Sequence, residues 1–199
     1  EFNQSILLVL MTSFECNCGL EDIIQQLSLD SDNSSSNKPV EPSVTLNKTF
    51  DHKLENLSFD CLSQEVVFEI LKDGRCFSHF IEKWLSEKYP LIHIPGCKKY
   101  DFIDKKTEDI KYDEKTFTKN GCYFLPSNMI GAGRKVDIEE FTKKANELIY
   151  IIVSNINLPQ IKVKFIKGSK LLEKYPSGKI SFDEHNKLFD VLPSKEIEI

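Results

Sequence analysis

Lys99-Tyr100-Asp101-Phe102-Ile103-Asp104, followed after eight residues by Asp113-Glu114-Lys115, decides how this 199-residue chain is read. Lys98–Lys105 and Ile110–Thr118 read as short strands, and Lys106-Thr107-Glu108-Asp109 between them is a tight polar turn. Two such runs around a turn predict a β-hairpin. If the turn centres near Thr107, residues whose numbers sum to about 214 face each other across the ladder. Asp101 then stands opposite Asp113, and Lys115 lies on the same face two residues on. Asp104 has the opposite parity, so an ideal strand does not present it together with Asp101, and a bulge or one-residue shift would exchange the two. The pairing favours Asp101. Glu114 points to the other face and is expected to be structural.

The elements around the hairpin follow from apolar spacing. Residues 63–88 carry a helical pattern (Val66, Val67, Ile70, Leu71, then Phe77, Phe80, Ile81, Trp84, Leu85) that Asp73-Gly74 divides and that Pro90 and Pro95-Gly96 end. Cys122–Leu125 is a third, shorter strand candidate. Val136–Leu148 is a helix with Asp137 placed to cap it. Ile149–Val153 is an uninterrupted apolar run, the mark of a buried strand, and Gln160–Ile166 alternates as another. Ser169–Tyr175 reads as a short helix, Lys179–Phe182 as a strand and Asp183–Phe189 as a terminal helical turn. The order αβββαβ with additions predicts an α/β fold, a mixed central sheet flanked by helices.

Charge divides the chain. Residues 1–60 hold ten acids and three lysines, a net of −7, and residues 61–199 hold 23 basic and 21 acidic residues, a net of +2. A short helix is expected at 12–27. Residues 28–58 are rich in Ser, Asp, Asn and Pro and read as a linker. The expected organisation is a flexible acidic leader over 1–58, a folded domain over 59–192 and a tail over 193–199. Met11 is a candidate natural start, with residues 1–10 upstream of it. Ser5–Met11 is apolar but too short to span a bilayer, so no membrane association is expected. The six cysteines show no paired spacing that would hold zinc, and an intracellular, cytoplasmic protein with reduced thiols is the simplest expectation.

The hairpin chemistry is specific in kind. Two carboxylates suit a hard cation such as Mg²⁺, which polarises a phosphate and lowers the pKa of an attacking water. A neighbouring ammonium orients that water or stabilises charge building on the phosphate. An acid-x-Lys triplet alone is common in a chain that is 29% charged, so the ordinary alternative is a solvated charged hairpin. The opposed Asp101, the apolar Phe102 and Ile103 and the order of elements raise the chemical reading above it.

From about Glu65 to Phe189 the chain resembles the PD-(D/E)xK nuclease superfamily, and within it small type II restriction endonucleases. The likeness rests on Tyr100-Asp101-Phe102-Ile103-Asp104, on Asp113-Glu114-Lys115-Thr116-Phe117-Thr118 and on Pro126–Arg134. It implies a restriction-endonuclease-like core, Asp101 (or Asp104) and Asp113 as ligands of Mg²⁺, and Lys115 as the catalytic lysine. It also implies an acid from the preceding helix, for which Glu82 and Glu69 are candidates, and a homodimer acting on double-stranded DNA. Tyr100 stands where the superfamily has proline.

Two further stretches could carry DNA contacts. Ser127-Asn128-Met129-Ile130-Gly131-Ala132-Gly133-Arg134-Lys135 places two glycines beside polar and basic side chains. Gly131 and Gly133 would let the backbone approach phosphates closely, Arg134 could read guanine, Asn128 could read adenine, and Ser127 and Lys135 flank them. The alternative is an ordinary loop feeding the Asp137 cap. Lys162, Lys164 and Lys167 begin a lysine-rich run that suits a phosphate-tracking strip or a protected sheet edge. The four histidines lie apart in sequence, and no Ser or Cys partners them at motif spacing. Three readings remain: a site-specific Mg²⁺-dependent endonuclease cutting by metal-activated water, a repair or junction nuclease of the same superfamily, and a catalytically inactive DNA-binding module.

Overall fold

The computed structural model of the protein describes residues 41–57, 59–96 and 99–190. The expected helix at 12–27, most of the acidic leader and the 193–199 tail lie outside the described residues.

Strand β1 (Thr49–Lys53) precedes helices α1 (Gln64–Leu71) and α2 (Gly74–Lys88), then strands β2 (Leu91–His93), β3 (Phe102–Asp104), β4 (Lys111–Phe117) and β5 (Cys122–Tyr123). Helix α3 (Ile138–Glu147), strands β6 (Leu148–Ser154) and β7 (Gln160–Lys167), helix α4 (Gly168–Lys174), strand β8 (Lys179–Ile180) and helix α5 (His185–Leu188) follow. Six strands form one mixed sheet in the order β1-β7-β6-β4-β3-β2. β4 and β6 run parallel and the other neighbours antiparallel. The fold is therefore a mixed α/β sheet flanked by helices, as the sequence indicated.

Strand β6 shows why the sheet is buried on both faces. Its alternate residues divide between two cores: Ile149, Ile151 and Val153 pack with Phe77, Ile81 and Leu85 of α2, and Leu148, Tyr150 and Ile152 pack with Phe141 and Ala145 of α3. A strand covered on both sides needs an unbroken apolar run, and Leu148–Ser154 is buried throughout. The helix starts are also local in origin. Asp73 accepts from the Arg75 and Cys76 amides, so Asp73-Gly74 ends α1 and caps α2. Asp137 accepts from the Glu140 amide at 2.9 Å and opens α3.

Two expectations are corrected. Residues 41–57 belong to the folded unit and not to a leader: β1 pairs antiparallel with β7 from Thr49↔Lys164 to Lys53↔Gln160, and Val44 and Leu54 are core residues. Phe50 packs edge-on against Tyr89 and Phe165, which a disordered linker could not do. The third strand of the αβββαβ series is β2, paired with β3, whereas Cys122-Tyr123 pairs with Ile180-Lys179 in a separate two-stranded sheet. Among the described residues no helix is long and apolar enough to cross a membrane.

Candidate active site at the hairpin

The hairpin register agrees with the sequence: Phe102 faces Tyr112 and Ile103 faces Lys111. Asp101 lies just before β3, and its amide donates to Tyr112 O at 2.9 Å although Phe102 is the residue opposite Tyr112. Two residues thus meet one, the arrangement of a β-bulge, which re-aims the side chain at the strand end. Asp101 Oδ2 accepts from the Glu114 amide at 2.7 Å. Asp113 and Lys115 share a face of β4, with Lys115 Nζ 2.5 Å from Asp113 Oδ2.

Electrostatics tie these groups together. Burial raises the Asp101 carboxyl above the usual carboxylate range, and the neighbouring Asp113 charge raises it further, with Lys115 opposing and Glu82 adding a smaller upward push. Burial alone would lower the Lys115 ammonium. Asp113 and Asp101 more than reverse this and hold its proton well above the ordinary lysine value. Lys115 is therefore a fixed positive charge and not a proton acceptor near neutral pH. Lys144, from α3, lies 3.8 Å from Asp113 Oδ1, on the other carboxylate oxygen. Tyr150 stands beside Asp113 in the β4–β6 register, and its buried hydroxyl has no hydrogen-bond partner among the described residues.

Glu114 points to the α2 face, as expected of a structural group. It is buried, and its carboxylate accepts from Thr116 Oγ1 at 3.0 Å and Ser78 Oγ at 3.1 Å. Burial pushes its carboxyl up to about 8. Ser78 also lies 3.2 Å from Glu82 Oε1, and His93 Nε2 donates to Glu82 Oε2 at 3.2 Å. Glu82 therefore comes to the edge of the site already held by two side chains.

The remaining candidates separate. Asp104 is buried away from the cluster and accepts from Ser43 N (2.8 Å), Ser43 Oγ (2.6 Å), Tyr112 OH (2.7 Å), Lys106 N and Thr107 N. It ties the hairpin turn to the segment before β1 and is not a site residue. Glu69 is exposed on α1 and bonded to Lys72, so it does not reach the hairpin. Ser127, Asn128, Gly131, Gly133, Arg134 and Lys135 are all exposed, and the Arg134 guanidinium donates to Ser127 O across the loop. Gly131 (φ 122°) and Gly133 (φ 77°) hold left-handed backbone that other residues rarely adopt. Lys162 bonds Asp51. Lys164 is buried on Leu188 O and Asp190, so it fastens the end of the described chain instead of tracking phosphates. Lys167 is exposed and lines a shallow pocket of about 230 Å³ with Lys111, Asn146 and Ser169.

Lys144, Ser78 and Tyr150 escaped the sequence reading. Only Lys144 left a trace, lying next to Ala145 on the buried side of a strongly patterned helix. A Ser–His pair absent from the sequence reading also forms, Ser154 Oγ with His185 Nε2 at 2.9 Å, but both residues are buried and the pair belongs to the core.

The donor set around the hairpin, Asp101 and Asp113 with Glu82 nearby, is all carboxylate oxygen and matches a hard divalent cation. Among the described residues, no three His, Cys, Asp or Glu side chains converge as a preformed metal cage. A cation there would rest on the Asp101–Asp113 pair, whose mutual repulsion it would relieve. No family model, curated protein or solved structure matches this chain.

Proposed function

We propose that the protein is a Mg²⁺-dependent DNA endonuclease with a restriction-endonuclease-like core. The observation that carries this reading is the acid-x-Lys pair on one face of β4, Asp113 in contact with Lys115, joined across the bulge by the half-buried Asp101. Asp101 and Asp113 would hold the cation, with Glu82 the nearest further acid. Bound there, Mg²⁺ would supply charge neutralisation at the phosphate and a more acidic water. The chain's own residues do the rest. Lys115 keeps its charge and stabilises negative charge developing on the phosphate oxygens. The Glu114 amide fixes the orientation of Asp101. The exposed 127–135 loop and Lys167 supply groups for the DNA backbone.

A second reading, an inactive DNA-binding module, is favoured by the absence of a preformed three-ligand cage among the described residues. Incubating the purified chain with plasmid or phage DNA, in Mg²⁺ and in EDTA, separates the two. Discrete fragments that require Mg²⁺ are expected and would identify a site-specific enzyme. A Mg²⁺-dependent smear would keep the chemistry and point to a repair or junction enzyme. Intact DNA under every divalent metal would overturn the nuclease reading.

A further inference from the structure

Asp113 carries two ammonium groups. Lys115 approaches Oδ2 at 2.5 Å in a close ion pair while donating to Glu114 O at 3.0 Å, and Lys144 stands 3.8 Å from Oδ1, an ion contact too long for a hydrogen bond. The N–H donors of Lys144 are thus not spent on Asp113. Elsewhere Lys72, Lys162 and Lys164 are directly hydrogen-bonded to their acids. The two side chains at Asp113 are 18% and 25% exposed, so both are partly open to a ligand, whereas Asp113 itself is 7% exposed at its side chain.

Lys144 is also held in place. Phe141 and Ala145 anchor that stretch of α3 in the core. Gly168 at the start of α4 lets the two helices close together: a Cβ on it would sit 1.9 Å from Ala145 O. The ammonium next to Ala145 therefore projects from a turn held against both the core and α4. Two acids (Asp101, Asp113) meet two lysines at the cluster, with Glu82 at its edge bonded to His93. A divalent cation on the acids would leave both lysines in surplus and call for an anion.

We propose that Lys144 is a second phosphate-binding residue of the site, its Nζ taking a non-bridging oxygen of the DNA phosphodiester beside the one served by Lys115. This rests on the nuclease reading for the identity of the ligand, and its test reads binding as well as cutting. Lys144→Ala, Lys144→Arg and the exposed control Lys72→Ala, at the end of α1 away from the hairpin, would be compared with the unaltered chain. The measurements are kcat and KM in Mg²⁺, and the affinity for a labelled duplex in Ca²⁺ at several salt concentrations.

Lys144→Ala is expected to weaken affinity and raise KM about tenfold and to lower the salt slope by about one. Arginine should restore most of the binding, and Lys72→Ala should leave the salt slope within error. Unchanged KM, affinity and slope in Lys144→Ala, in a chain that cuts DNA, would overturn the proposal alone. Equal losses in the alanine and arginine variants together with a lowered Tm would also overturn it, since that is a packing role. A chain that never cuts but loses one unit of salt slope in Lys144→Ala would sink the nuclease reading and keep the phosphate contact. Absence of duplex binding by the unaltered chain would end both.

Discussion

At Asp104 five hydrogen bonds converge on a carboxylate shielded from solvent, whereas three residues earlier Asp101 accepts one backbone amide and faces Asp113. Burial works to raise the Asp104 carboxyl, but the bonds from Ser43, Tyr112 and Lys106 together outweigh it and hold it at about 2. Its folded value lies below the unfolded one, so its contribution is full above about pH 4 and is lost as pH falls towards 2. The difference amounts to about 2 kcal/mol. In acid titrations followed by circular dichroism, the unaltered chain should lose that stability between pH 4 and 2, and Asp104→Asn should be less stable at pH 7 and lose about 2 kcal/mol less across the window. Equal pH dependence in both would show that the carboxylate is not the clamp described. The two aspartates were nearly indistinguishable in sequence because parity alone separated them. The contacts that tie down Asp104 decided the matter, above all those from Ser43, and that distant residue has no local signal.

Legibility at the scale of elements follows the range of the interactions. The break at Asp73-Gly74, the cap at Asp137, the buried run of β6 and the register of the hairpin all depend on neighbours within a few residues, and all were readable. β1 was not: only Phe50 and His52 of Thr49–Lys53 pack inward, they sit in a Ser- and Asn-rich stretch, and the pairing strand begins at Gln160. β2 is three residues long and takes its structure from β3. Lys164 looked like part of a basic strip because its partners, Leu188 O and Asp190, lie far along the chain. The element with most consequence is β1 and the segment before it. Burial of Val44 and Leu54 alone stabilises the fold by about 3–6 kcal/mol, a large part of the stability of an ordinary domain. A chain starting at Phe59 should therefore melt far below one starting at Glu41, or fail to fold cooperatively. Equal melting temperatures would contradict a structural role for residues 41–57.

At the scale of the molecule, the mixed sheet sets β4 between β6 and β3 and turns its two faces towards different cores. Glu114 thereby meets Ser78 of α2, while Asp113 and Lys115 face the side from which α3 supplies Lys144. The acid-x-Lys triplet was visible in the sequence. The second lysine was not, because it reaches the site only through the packing of α3 against the sheet. On the proposed function, Lys115 serves the chemistry and DNA binding is spread over several other groups, so cutting and binding should come apart at this one residue. The most direct measurement is the Mg²⁺-dependent cleavage rate of Lys115→Ala beside its duplex affinity in Ca²⁺, with folding checked by circular dichroism. A loss of cleavage of about 100-fold or more, with duplex affinity within a few fold of the unaltered chain, is the predicted result. Cleavage that persists in the folded variant, or an unaltered chain that binds DNA without cutting it, would contradict the account.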